Sequence, residues 1–243
     1  MTGILQGKTA VVTGASRGIG YAVSKALAAQ GAHIIAVART IGGLEELDDE
    51  IKAAGGSATL VPLDLKDADG LDRMGAALFE RWKKLDIVVA NAGILGRLTP
   101  LGHLEPKEWD EVMAVNVTAN WRLIRSFDPL LRASDGGRAV FITSAAASAC
   151  RAYWGSYSVT KAALDALAKT YAAECNATNV KVNLVNPGPL RTALRAQAWP
   201  GEDAETVARP AEFAEALIDL VRPETDTSGA MYAFENGTLK LSS

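Results

Sequence analysis

Short apolar runs rich in valine and isoleucine recur along the chain, at 9–13, 32–38, 57–63, 85–90, 138–143, 180–185 and near 230–234. Between them lie stretches whose apolar residues fall three and four apart, the spacing that gathers them on one helical face. Ile19, Val23, Ala26 and Leu27 share such a face in 19–30; Leu44, Leu47 and Ile51 define the next helix, which Gly55-Gly56 ends; Leu71, Met74, Leu78 and Trp82 define a third. Longer helices are predicted over 109–132 and 155–174, and a last one over 210–221. A strand that is apolar throughout has no face for water, so helices must cover both sides of the sheet. The alternation predicts an α/β, doubly wound parallel sheet of seven strands.

At 243 residues the chain is long enough for one large domain, expected to span 1–243, and no repeat or linker divides it. Its 28 acidic against 25 basic residues leave a net charge of −3, which offers no electrostatic case for nucleic acid or an anionic membrane as partner. The first residues, MTGILQGKTAVVTG, lack the basic-then-apolar layout of a secretory signal, and no apolar run approaches the roughly 18 residues of a membrane span. Cys150 and Cys175 are too few for a disulfide framework or a structural zinc site, and His33 and His103 have no ligand pattern around them, so no metal is expected. These readings together predict a cytoplasmic protein.

Candidate chemistry sits at the ends of the predicted strands. TGASRGIG places Gly14, Gly18 and Gly20 between a strand and a helix, where glycines let the backbone approach a pyrophosphate held by the helix N-terminus, or simply make a turn. Asn91-Ala92-Gly93 ends the fourth strand with small residues. Asp64 ends the third, either as acceptor for an adenine amino group or as a helix N-cap. Tyr157 and Lys161 lie four apart on a helix, so they share a face; an ammonium near a phenol favours the phenolate, although helices offer such pairs by chance. Ser144 follows the fifth strand, as a donor to a substrate oxygen or a turn cap, and Asn116 lies in an apolar helical stretch where its amide needs a partner.

Taken in order, Thr13 to Gly20, Asn91 to Gly93, Asn116, Ser144, Tyr157-x-x-x-Lys161 and Asn186-Pro187-Gly188 resemble the signature of the short-chain dehydrogenase/reductase family, from residue 8 to about 235. The resemblance implies that Tyr157 is the acid-base residue, that Lys161 lowers its pKa and binds the nicotinamide ribose, and that Ser144 polarises the substrate oxygen. It further implies that Asn116 holds a water linking Lys161 to solvent, that Asp64 and Asn91 contact the adenosine half, and that Thr192 meets the carboxamide. Ile19, Leu65, Ala92, Gly93, Pro187 and Gly188 complete the expected cofactor cleft. The departures are Ala90, where many members have asparagine, and the tail GAMYAFENGTLKLSS, whose Asn236-Gly237 replaces a more usual Asp-Gly-Gly and puts a tail-built tetramer in doubt.

The expected sheet order is 3-2-1-4-5-6-7, with the site at the strands' carboxyl ends. The expected activity is hydride transfer between a nicotinamide cofactor and a carbonyl or secondary alcohol. The alternatives are a non-catalytic nucleotide-binding regulator, which has no chemical need of Tyr157, and an NAD-preferring alcohol dehydrogenase. The second strand ends in Ala38 where NAD binders carry an acidic residue, and Arg39, Arg17, Ser16 and Thr40 offer donors to a 2′-phosphate, so NADP(H) is expected over NAD(H). The partner is a small carbonyl or alcohol. The resemblance also implies a homodimer, or a homotetramer, through the helices 109–132 and 155–174; Trp121, Ala163, Ala166 and Ala173 suit close helix packing there or an ordinary core. Pocket shape is assigned to 145–154 and 193–209, the second of which carries Trp199.

Overall fold

The computed structural model describes residues 3–242. Seven strands pair in parallel: β1 (Thr9–Thr13), β2 (His33–Ala38), β3 (Ser57–Pro62), β4 (Ile87–Ala90), β5 (Arg138–Ile142), β6 (Lys181–Asn186) and β7 (Met231–Glu235). Their order, β3-β2-β1-β4-β5-β6-β7, is the expected one. Successive side chains go to opposite faces. Val12, Ile34 and Ala36 enter a core under helices α1 (Gly18–Ala29), α2 (Ile41–Ala53) and α9 (Pro210–Val221). Val11, Ile35 and Val37 enter a second core under α3 (Ala68–Trp82), α5 (Ala119–Arg132) and α7 (Gly155–Glu174). Every residue of β1, β4 and β5 is buried, which explains their unbroken apolar reading.

An eighth strand departs from the expectation of seven: β8 (Thr238–Leu241) runs antiparallel to β7. Asn236 and Gly237 make the two-residue hairpin, with φ of 51° and 79°. That conformation is the one Asn-Gly favours, because both central residues need positive φ. The helix expected over 109–132 starts earlier and in two parts. Pro106 opens α4 (Pro106–Met113), with Glu105 and Glu108 forming a capping box, and a π-helical turn at Ala114–Thr118 joins it to α5. Two short helices, α6 (Ala146–Ala149) and α8 (Ala193–Ala198), lie in segments without helical periodicity. Both histidine nitrogens of His33 are engaged across β2–β3, with Ser57 Oγ at 2.7 Å and Thr59 Oγ1 at 2.9 Å. Among the described residues no helix is long and apolar enough to cross a membrane.

Candidate active site

Eighteen of the expected site residues surround one cleft of about 800 Å³ at the carboxyl edge of the sheet; Gly20 and Asn116 stand behind its wall. The glycine loop lies at one end. A Cβ on Gly20 would stand 2.3 Å from the Gly14 carbonyl oxygen and 2.6 Å from Asn91 Nδ2, so only glycine lets α1 begin so close to the sheet. Gly18, at φ 58°, faces the Thr192 methyl across a space its missing side chain leaves open. The N-terminus of α1 has no side-chain cap from Arg17. Arg17, Arg39, Thr40 and Ser16 line this end, beside Ala38.

The neighbouring strand ends are tied together by the residue that opens the glycine motif. Thr13 Oγ1 accepts the main-chain N–H of Asn91 and of Ala92, both at 3.0 Å. Asp64 is not the cap of α3, which Asp67 supplies through the Gly70 N–H; its own carboxylate accepts the Lys66 N–H at 3.0 Å and lines the cleft with Leu65.

Tyr157 and Lys161 project from one face of α7, the Lys161 ammonium 5.8 Å from the centre of the phenol ring. Lys161 is 4 % exposed and donates from Nζ to the Ile142 carbonyl at 2.8 Å, where β5 ends. Burial pulls its pKa down to about 8, with the Asp165 carboxylate on the next turn of α7 acting the other way. Burial pushes Tyr157 above its ordinary value, and only the Ser144 hydroxyl opposes that. The physical reason is that desolvation penalises both charged forms together, the phenolate as well as the ammonium.

Asn116 sits on the π turn, a feature that recurs where a helix is bent to aim a group at a site. Both amide hydrogens and one lone pair are employed: Oδ1 accepts the Ile94 N–H at 2.9 Å, while Nδ2 donates to the Ile94 carbonyl at 2.9 Å and to Thr160 Oγ1 at 3.0 Å. The side chain thus pins the loop after β4 to α7. A Cβ built on Gly93 would lie 3.4 Å from Asn116 Oδ1 and 3.6 Å from Lys161 Nζ, so both groups border the same corner. Thr192 caps α8 by accepting the Arg195 N–H at 3.2 Å, and Pro187 and Gly188 lead into that loop. Of the segments assigned to pocket shape, 145–154 contributes only Trp154 to the lining; the second contributes 193–195, 197 and 198. Leu95, Ile142 and Leu190 also line the cleft, and their apolar character gave them no distinction from core residues.

A family model described as short chain dehydrogenase matches residues 8–203. The oxidoreductase YciK of Escherichia coli strain K12 is 34 % identical over 213 residues, covering 86 % of this chain and 84 % of that protein. A solved short chain dehydrogenase from Pseudomonas syringae superposes with a TM-score of 0.92 at 35 % identity, covering 96 % of each chain. Another, from Shigella flexneri 2a strain 301 and complexed with NADP, gives 0.89 at 30 % identity, covering 96 % of this chain and 99 % of that one. The chain belongs to the short-chain dehydrogenase/reductase family. It is an oxidoreductase of the class that uses a nicotinamide cofactor.

Proposed function

We propose that this protein interconverts a carbonyl compound and a secondary alcohol with NADP(H), Tyr157 being the acid-base group. The observation that carries the reading is the convergence of Ser144, Tyr157 and Lys161 on one cleft whose other end is the glycine loop.

The residues present fit the cofactor. The glycine loop would hold its pyrophosphate, Asp64 and Leu65 with Asn91 the adenosine half, Lys161 and Gly93 the nicotinamide ribose, and Pro187, Gly188 and Thr192 the carboxamide. When bound, the cofactor supplies the hydride, chemistry that no side chain here offers. With its pKa raised, the Tyr157 phenol is protonated at neutral pH and is the donor to a carbonyl oxygen that the Ser144 hydroxyl orients. Lys161 remains largely protonated at neutral pH and favours the phenolate that this step leaves behind. Asn116 borders the same corner as Lys161, which supports its holding the water through which the proton is restored.

Preference for NADP(H) is supported by Ala38, which leaves no carboxylate to repel a 2′-phosphate, by Arg17 and Arg39 at that end, and by the NADP complex of the Shigella relative. A homodimer through α5 and α7 is supported by Trp121 and Val159, 45 % and 42 % exposed on those helices. The test is direct. The protein should consume NADPH with at least one member of a panel of neutral ketones and bind NADPH more tightly than NADH at equal salt. Absence of turnover across the panel, with NADPH still bound, would instead favour a nucleotide-binding regulator.

A further inference from the structure

We infer that the substrate end of the cleft takes a neutral carbonyl compound bearing an aryl or similarly flat apolar group, and rejects carboxylates and phosphates. This names a substrate class for the reading above and rests on it.

Apart from Ser144, Tyr157, Gln197 and the paired Arg191 and Arg195, the wall at this end is apolar: Leu95, Trp154, Leu194 and Ala198 belong with Tyr157 to a cluster separate from both cores of the sheet. Trp154 is a fixed wall. Its ring meets Tyr157 edge-on at 6.1 Å and lies 5.9 Å from Trp199, which the guanidinium groups of Arg151 and Arg195 approach to 5.3 Å and 5.0 Å. The backbone before it adopts left-handed conformations at two residues other than glycine, Cys150 at φ 44° and Tyr153 at φ 72°. Each such residue costs about 1 kcal/mol or more and persists only where the surroundings hold it. One such hold is visible, the Thr99 N–H donating to the Tyr153 carbonyl at 3.0 Å.

The two arginines that line this end are paired with carboxylates, and Arg151 stands against Trp199 outside the lining. Arg195 gives two hydrogen bonds to Glu202, at 2.6 and 2.5 Å, and Arg191 two to Glu205, at 2.8 and 3.0 Å. Lys161 is engaged by Ile142, and the remaining arginines lining the cleft, Arg17 and Arg39, lie at the glycine-loop end. The only acidic residue of the lining is Asp64, on the adenosine side. An ionised substrate would therefore shed water against leucine and tryptophan with no counter-charge to replace it. A flat neutral ring gains the Trp154 surface at no such cost.

The experiment compares methyl benzoylformate with benzoylformate on the enzyme–NADPH complex, following binding by tryptophan fluorescence and turnover by NADPH consumption. The ester should show kcat/KM about 50-fold or more above the acid. Trp154→Ala should raise KM for the ester about tenfold, and Trp154→Phe should restore most of it. Glu202→Gln, which releases Arg195, should raise the acid's kcat/KM about tenfold and leave the ester's unchanged. Equal use of acid and ester, or an ester that does not bind, overturns the inference. An ester that binds in preference to the acid yet is never reduced upholds this substrate class and overturns the proposed hydride transfer.

Discussion

The Thr13 hydroxyl accepts the main-chain N–H of Asn91 at 3.0 Å, and the Asn91 side chain donates back to the Thr13 carbonyl at 2.8 Å. This reciprocal pair welds the ends of β1 and β4, from which the two halves of the cleft diverge. Thr13 is fully buried, so no water replaces its hydroxyl. Thr13→Val leaves the Ala92 N–H without its acceptor, at about 1–3 kcal/mol, whereas the Asn91 N–H keeps the Val89 carbonyl at 3.1 Å. Thermal unfolding should show the loss and calorimetric titration a weaker NADPH complex, while Thr13→Ser stays near wild type.

Lys161 is a residue whose stability and function oppose each other. Its pKa in the fold is about 8 against an ordinary 10.5, so burying the ammonium works against folding below pH 8. That penalty fades as the pH rises from the folded value toward the ordinary one, because the folded protein then holds a neutral amine. Lys161→Met should raise stability by about 2 kcal/mol at pH 7, allowing for the unpaired Ile142 carbonyl, while removing turnover. Denaturant unfolding from pH 7 to 10.5 checks it: the gain should shrink across that range.

Asp86 shows the opposite sign at the far end of the sheet. Burial alone would raise its pKa, but Ser134 at 2.6 Å, the Thr9 N–H at 2.9 Å, and Lys8 and Lys84 together hold it below the ordinary 3.8. Its contribution is therefore fully present above pH 3.8 and lost as pH falls through the lower folded value. Asp86→Asn should cost about 2 kcal/mol at pH 7, the difference from wild type narrowing below pH 3.8 in urea titrations, with NADPH affinity unchanged.

The seven parallel strands were legible because burial on both faces leaves nothing polar to interrupt a run such as Val11-Val12 or Ile34-Ile35. Helix α7 was legible to the residue. Helices α6 and α8, of four and six residues, are too short to display a period, and the hairpin at Asn236-Gly237 was passed over although its dipeptide favours that turn. At the site, the residues themselves could be named from order and spacing. What could not be read was each one's environment: that Asn116 is held by Ile94 and Thr160, that Trp199 backs Trp154, or that burial raises the Tyr157 phenol against the Ser144 hydroxyl. Those depend on contacts between segments distant in the chain.

The proposed preference for NADP(H) rests on Ala38 and Arg39 at the end of β2. Ala38→Asp with Arg39→Ile should move the ratio of NADPH to NADH affinity toward NADH by about tenfold or more, measured by equilibrium titration at fixed ionic strength. The ketone preference should not change, since Trp154 and Leu194 lie at the other end of the cleft.

The central claim is that Tyr157 moves the proton. Tyr157→Phe keeps the buried ring, its edge contact with Trp154 and the packing of α7, and removes only the hydroxyl. Measured beside wild type on the best ketone of the panel, kcat/KM should fall about 100- to 10,000-fold, the span general acid-base catalysis covers, while the NADPH dissociation constant stays within about twofold. Activity equal to wild type, with NADPH bound equally well, would contradict the account.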